Sequence, residues 1–157
     1  MKLTKGFEKV LVIMAIFASQ KPGVPISADI INLKVGGSAT YMKKLMRKLV
    51  IADIVYATTG NSGGFMLKKP LNEITIYEVF VAIEGELQSY SKENILKATF
   101  PNLENSEKGV EAISAAFIAA DKLWADSLKG ITCQDILDQS LGTDYIKVQD
   151  WNEILRG

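Results

Sequence analysis

The chain has 157 residues, 48% hydrophobic and 23% charged, enough for one domain or one and a half around a buried core. One cysteine and no histidine exclude an internal disulfide, a multi-cysteine metal site within one chain and the usual histidine-based acid–base chemistry. The net charge of zero hides a division: residues 1–70 carry eleven Lys/Arg against three acids, and residues 71–157 carry seven against fifteen. A basic half attracts a polyanion and speeds encounter with it, whereas an acidic half is repelled and left for other partners.

Residues 5–19 read as a helix with Phe7, Val10, Leu11, Val12, Ile13, Met14, Ile16 and Phe17 spread around most of its circumference, which implies neighbours on two sides. Its apolar run, Val10 to Ala18, is nine residues long against the roughly twenty of a membrane span. Ser19-Gln20-Lys21-Pro22 offers no cleavage signal, so the chain is expected in the cytoplasm with no membrane partner. Lys21-Pro22-Gly23-Val24-Pro25 breaks the helix, and Ser27 caps a short one through Leu33. After the Val35-Gly36-Gly37 turn, Ser38 caps a longer helix to about Asp53, with Met42, Leu45, Met46 and Leu49 on one buried stripe and a basic opposite face.

Ile54–Ala57 and Phe65–Lys68 are strand-like runs joined by a loop rich in Gly, Thr, Asn and Ser, hence a hairpin. Thr75 caps a helix through Gly85. Residues 86–106 are polar, are interrupted by Pro101, and read as a connector with one helical turn. From Gly109 onward Val110, Ile113, Phe117, Ala120 and Trp124 recur at 3, 4, 3, 4, the spacing of a seam that packs on another helix. No partner for this seam is evident in the first 85 residues, so it is expected to meet a second copy, with helix 5–19 against it as well. Cys133 opens a short helix to Ser140, and Val148, Trp151, Ile154 and Leu155 offer a terminal turn. A helix start favours thiolate at Cys133, but the position also needs an apolar residue beside Ile136 and Leu137, which is the preferred reading.

Two helices joined by a glycine turn and followed by a hairpin form the layout of a winged helix-turn-helix, in which the second helix enters the major groove of duplex DNA. The fold class is therefore mainly α with a small β-hairpin wing and a long dimerisation helix. Ser38, Thr40 and Tyr41 are the candidates for base or near-base contacts, and Lys43, Lys44, Arg47 and Lys48 are candidates for bases and phosphates. The alternative for that basic face is plain solvation; the hairpin and the charge division favour DNA. The wing adds Thr59, Asn61 and Lys68, with Lys69 beside it. An enzyme is disfavoured, because no nucleophile elbow or Walker loop is present and Gly60-Asn61-Ser62-Gly63-Gly64 joins two strands rather than a strand and a helix.

The run from Ser38-Ala39-Thr40-Tyr41-Met42-Lys43-Lys44 through Ala57-Thr58-Thr59-Gly60-Asn61-Ser62-Gly63-Gly64-Phe65-Met66-Leu67 to Pro70-Leu71-Asn72-Glu73-Ile74-Thr75 resembles the signature of the Rrf2 (Rrf-two) family of bacterial transcription regulators. Met1-Lys2-Leu3-Thr4-Lys5-Gly6 and Glu84-Gly85 are also similar, so the likeness is strong over about the first 85 residues and rests on layout beyond Gly109. It implies a homodimer, usually a repressor on a palindromic operator, with a long helix crossing its partner's. Many members bind an iron-sulfur cluster through three cysteines in the connector; this connector has none, so no cofactor is expected. Where the family often has Arg before the wing glycine, this chain has Thr59, a weaker probe of the minor groove. Some cluster-free members take their signal from a metabolic enzyme, so an adapter acting through such a partner is the alternative function. The expected organisation is a DNA-binding domain over 1–85, a connector over 86–107, a dimerisation helix and short following helix over 108–140, and a tail over 141–157.

Overall fold

Hydroxyl side chains fix the helix starts. In a computed structural model describing residues 2–60, 63–91, 95–100, 106–142 and 147–155, α1 (Lys5–Ala18) opens on Thr4, α2 (Ala28–Val35) on Ser27 and α3 (Ala39–Ile51) on Ser38. Each cap oxygen accepts a backbone N–H of the first turn, which would otherwise lack a partner. Thr75 and Glu78 form a reciprocal capping box on α4 (Ile76–Glu84). Thr132 and Asp135 repeat it on α7 (Cys133–Leu141). Between them lie the short α5 (Ile95–Thr99) and the long α6 (Ser106–Lys129).

The hairpin pairs β1 (Val55–Thr58) with β2 (Gly64–Leu67) in antiparallel register, Val55 opposite Leu67 and Thr58 opposite Gly64. Both strands start one residue away from the expected runs. Ile54 is buried and its carbonyl accepts from Lys68 N, so this pair extends the ladder outside the two strands. The wing is rooted in the chain before α2: Ile26 N–H reaches Phe65 O at 3.0 Å and Phe65 N–H reaches Ile26 O at 2.9 Å. At neighbouring Gly64 a Cβ would collide with Ile26 O, so no larger residue fits there without moving backbone.

One apolar cluster joins both sides of position 85. Phe7 of α1 meets Phe80 of α4 edge-on at 6.4 Å, and Phe80 meets Trp124 of α6 at 4.6 Å. Cys133 and Leu137 of α7 belong to the same cluster, and Trp151 packs against it. This corrects the expectation that the whole α6 seam lacks a partner within the chain. Val110 is buried and Trp124 lies on the core, while Ile113, Phe117 and Ala120 are exposed. Helix α1 packs on α4, α2 and α7, and it is α4 that carries α6.

The last described residues form a strap, where the sequence suggested a terminal turn. Gln149 bridges Gln20, with Gln149 N–H to Ser19 O and Lys21 N–H to Gln149 O both 2.9 Å. A 3-10 turn, Trp151–Leu155, follows. The Trp151 indole N–H donates to Ser19 Oγ at 3.0 Å, Asn152 Nδ2 donates to Pro25 O at 2.8 Å, and Ser27 N–H donates to Asn152 Oδ1 at 3.0 Å.

Candidate nucleic-acid interface

The turn between α2 and α3 is built on Gly36 and Gly37, with φ of 71° and 109°, values that L side chains rarely adopt. Lys9, from α1, donates to Val35 O at 2.8 Å and to Gly36 O at 2.6 Å. A cation thus neutralises the negative end of α2 and fixes the angle at which α3 leaves the turn. Nothing in the sequence singled out Lys9. It stands in an apolar helix 26 residues before its partner, with no motif to connect them.

From that turn α3 projects its amino end and basic flank into solvent. Ser38, Thr40, Lys43, Lys44 and Arg47 are all exposed. The cations of Lys43, Lys44 and Arg47 make no hydrogen bond or ion pair among the described residues. Ser38 accepts from Tyr41 N–H at 3.2 Å and retains its own hydroxyl proton for an outside acceptor. The buried stripe Met42, Leu45, Met46 and Leu49 anchors the opposite face in the core. An exposed helix tip with free N–H groups, followed by three unpaired cations one to two turns on, is chemically suited to a phosphate-lined groove.

Three other lysines have partners within the chain. Lys48 points away from this face and donates to Ile83 O at 2.5 Å, tying α3 to the last turn of α4. Lys68 is ion-paired with Asp53, the one non-glycine residue at positive φ among the described residues, and Lys69 is paired with Glu78 at 2.5 Å. Burial pushes the Glu78 carboxyl up, but its hydrogen bonds from Lys69 and Thr75 outweigh that and hold it below the usual range. These lysines brace the wing and the helix ends. Sequence spacing locates a cation on a face without showing which carbonyl or carboxylate the fold brings beside it. Tyr41 lies over Gly6, where a Cβ would come within 2.7 Å of the Tyr41 hydroxyl, so it rests on the start of α1 while remaining 38% exposed. Thr59 is exposed at the wing tip beside Gly60; Asn61 lies outside the described residues.

Cys133 is 2% exposed, and its N–H donates to Ile74 O at 2.8 Å. Burial, with the Glu78 charge second, pushes the thiol up to about 12, so the thiolate that the helix start would favour does not form at neutral pH. Alkylation by a maleimide at pH 8 is accordingly expected to be slow in the native protein and complete within minutes in denaturant, as followed by intact mass. Equal rates in both states would make Cys133 an accessible thiol after all. Among the described residues, no group of three or more Cys, Asp or Glu is placed to hold a metal ion. No described helix is long and apolar enough to cross a membrane.

Comparison with known proteins agrees with this geometry. The family described as "Rrf2: Iron-dependent Transcriptional regulator" matches residues 3–139. YwgB of Bacillus subtilis (strain 168), provisionally named an HTH-type transcriptional regulator, is 30% identical over 96% of this chain and 94% of its own. The solved structure of CymR (YrzC), the global cysteine regulator of B. subtilis, aligns at 19% identity with a TM-score of 0.62, over 89% of this chain and 98% of that one. A transcriptional regulator from Listeria innocua, also provisionally named, aligns at 23% identity with a TM-score of 0.63, over 92% and 91% of the two chains. At such identities the structures speak for the fold, and they are winged-helix proteins of the same architecture. The iron in the family's description does not fit this chain: an iron-sulfur cluster needs several thiolates, and the single thiol is buried and protonated. The chain belongs to the Rrf2 family of DNA-binding transcriptional regulators and carries its winged helix-turn-helix fold.

Proposed function

We propose that the protein is a cluster-free repressor in the cytoplasm that binds an inverted-repeat operator as a homodimer, reading the major groove with α3. The observation that carries this is the set of exposed cations Lys43, Lys44 and Arg47 beside the capped tip at Ser38, all held on a helix whose other face is locked into the core. Ser38, Thr40 and Tyr41 take base or near-base contacts, and the three cations divide between bases and phosphates. Thr59 offers the wing a single hydroxyl, so the wing contributes position more than sequence preference. The second copy is met through α6, whose exposed side presents Ile113, Phe117, Ile118 and Leu123 among alanines.

Operator fragments enriched from genomic DNA by the purified protein supply the test. The Lys44→Ala/Arg47→Ala double variant is expected to bind them more weakly by about 1 to 3 kcal/mol for each residue that contacts a base. The dependence of log affinity on log salt should also become shallower, by about one unit for each phosphate that the variant no longer neutralises. Equal affinity and equal salt slope in the wild type and the double variant would show that α3 is not the reading helix.

A further inference from the structure

Beyond α4 the chain turns at Gly85, and connector residues 87–90 lie beside α6, leaving between them a cavity of about 430 Å³, in the range that holds small organic ligands. Its apolar walls are Leu87, Tyr90, Phe117 and Ile118, the last two also on the side of α6 assigned above to the second copy, and the Tyr90 and Phe117 rings are stacked at 5.5 Å and 13°. Its polar groups are few and converge: the Gln88 amide, the Ser114 hydroxyl and the Asp121 carboxylate. Ser114 is only 6% exposed, and it lines this space without a hydrogen bond among the described residues. A hydroxyl with no partner in the chain is free to donate to or accept from a bound molecule.

Asp121 sets the sign of the ligand. Hydrogen bonds from the Ser89 hydroxyl and from Ser89 N–H, the latter at 3.0 Å, hold its carboxyl below the usual range, so it is ionised at neutral pH. Among the described residues, no Lys or Arg lines the cavity. The surrounding half of the chain carries fifteen acids against seven bases, which repels anions and draws cations. Aromatic faces beside a carboxylate suit an ammonium or guanidinium group, and the Leu87 and Phe117 walls suit a compact apolar body behind it.

We propose that the cavity between the connector and α6 is a binding site for a small organic cation, an ammonium or guanidinium group on a compact apolar skeleton. Asp121 pairs with the charge, Ser114 and Gln88 orient it, and Tyr90 with Phe117 covers the skeleton. Because the cavity is walled by α6, an occupant also bears on the helix assigned to dimerisation. That a ligand here changes operator affinity rests on the DNA-binding reading above, whereas the binding itself does not.

The experiment is a titration of the full-length ¹⁵N-labelled protein with phenethylammonium, with neutral phenethyl alcohol as the matched control, followed by amide chemical shifts. Saturable shifts are expected at residues 87–90 and 114–121, with the alcohol about tenfold weaker or worse. Asp121→Asn, which can still accept from Ser89, should remove the preference for the charged probe. Ser114→Ala should weaken the probe several-fold while leaving that preference in place. Operator binding without probe is expected to be unchanged in both variants. The proposal is overturned if the two probes bind equally, if Asp121→Asn keeps the preference, or if the shifts follow protein concentration rather than probe, as they would if a second copy filled the cavity. A wild type that binds no operator yet shows the charge-selective shifts would remove the DNA reading and leave the site standing.

Discussion

Glutamate at both Ile113 and Leu123 is expected to leave the monomer folded and to abolish tight operator binding. The two side chains are 46% and 73% exposed in the single chain, so a charge at either costs the monomer core nothing. In a two-fold dimer the same positions occur twice. Each buried leucine or isoleucine is worth about 1.5 to 3 kcal/mol, and a charge in its place adds desolvation. Alanines at 112, 115, 116, 119 and 120 surround them on the exposed side of α6, a surface smooth enough for a second helix to approach closely. A helix of 24 residues spans about 36 Å, giving that contact ample length. Loss of the dimer uncouples the two reading helices, and a bivalent reader falls by about 10²-fold to 10⁴-fold when its second site is released. Sedimentation should show monomer, circular dichroism an unchanged fold, and fluorescence anisotropy little binding to a full operator. An intact dimer with normal affinity would move the interface off this face.

The outward stripe of α6 shows what the sequence could and could not disclose. The 3, 4, 3, 4 spacing from Val110 to Trp124 correctly marks α6 as a helix that packs on something, but two adjoining stripes satisfy it. Only the fold shows that Val110 and Trp124 turn inward, Trp124 onto Phe80, while Ile113 and Ala120 turn outward. Caps were legible because their chemistry is local: Ser27, Ser38 and Thr75 each need only an N–H three residues ahead. The glycine turn before α3 was legible for the same reason. The partners of Lys48 and Lys68 within the chain were not legible, because the Ile83 carbonyl and the Asp53 carboxylate come from 35 and 15 residues away. For the strap no periodic signal exists, since its hydrogen bonds fall on residues about 130 positions earlier.

Removing that strap, by ending the chain before Val148, is expected to destabilise the winged domain and to loosen the wing itself. The strap contributes the Trp151 indole over Ser19, with Lys34 above its ring at 5.5 Å, and four backbone or amide hydrogen bonds of 2.8 to 3.0 Å to Pro25, Ser27 and the backbone of Ser19 and Lys21. At about 0.5 to 1.5 kcal/mol net for each hydrogen bond, the loss amounts to roughly 2 to 6 kcal/mol before the ring's packing is counted. Its truncation also leaves the amide oxygen of Gln20, a residue only 9% exposed, without the Trp151 N–H that it accepts at 2.9 Å in the intact chain. The effect reaches the wing through one residue: Pro25 and Ser27, held by Asn152, flank Ile26, which is paired with Phe65 of β2 on both its N–H and its carbonyl. Amide exchange at Ile26 and Phe65 should therefore quicken in the truncated protein, while that at Val79 and Phe80 in α4 changes only by the global loss. Asn152→Ala, which removes two of these hydrogen bonds and none of the chain, should show the same pattern at about a third to a half of the size. Unchanged exchange at Ile26 and Phe65 in both variants would mean that the wing is held by its own root, with the strap a passive cover.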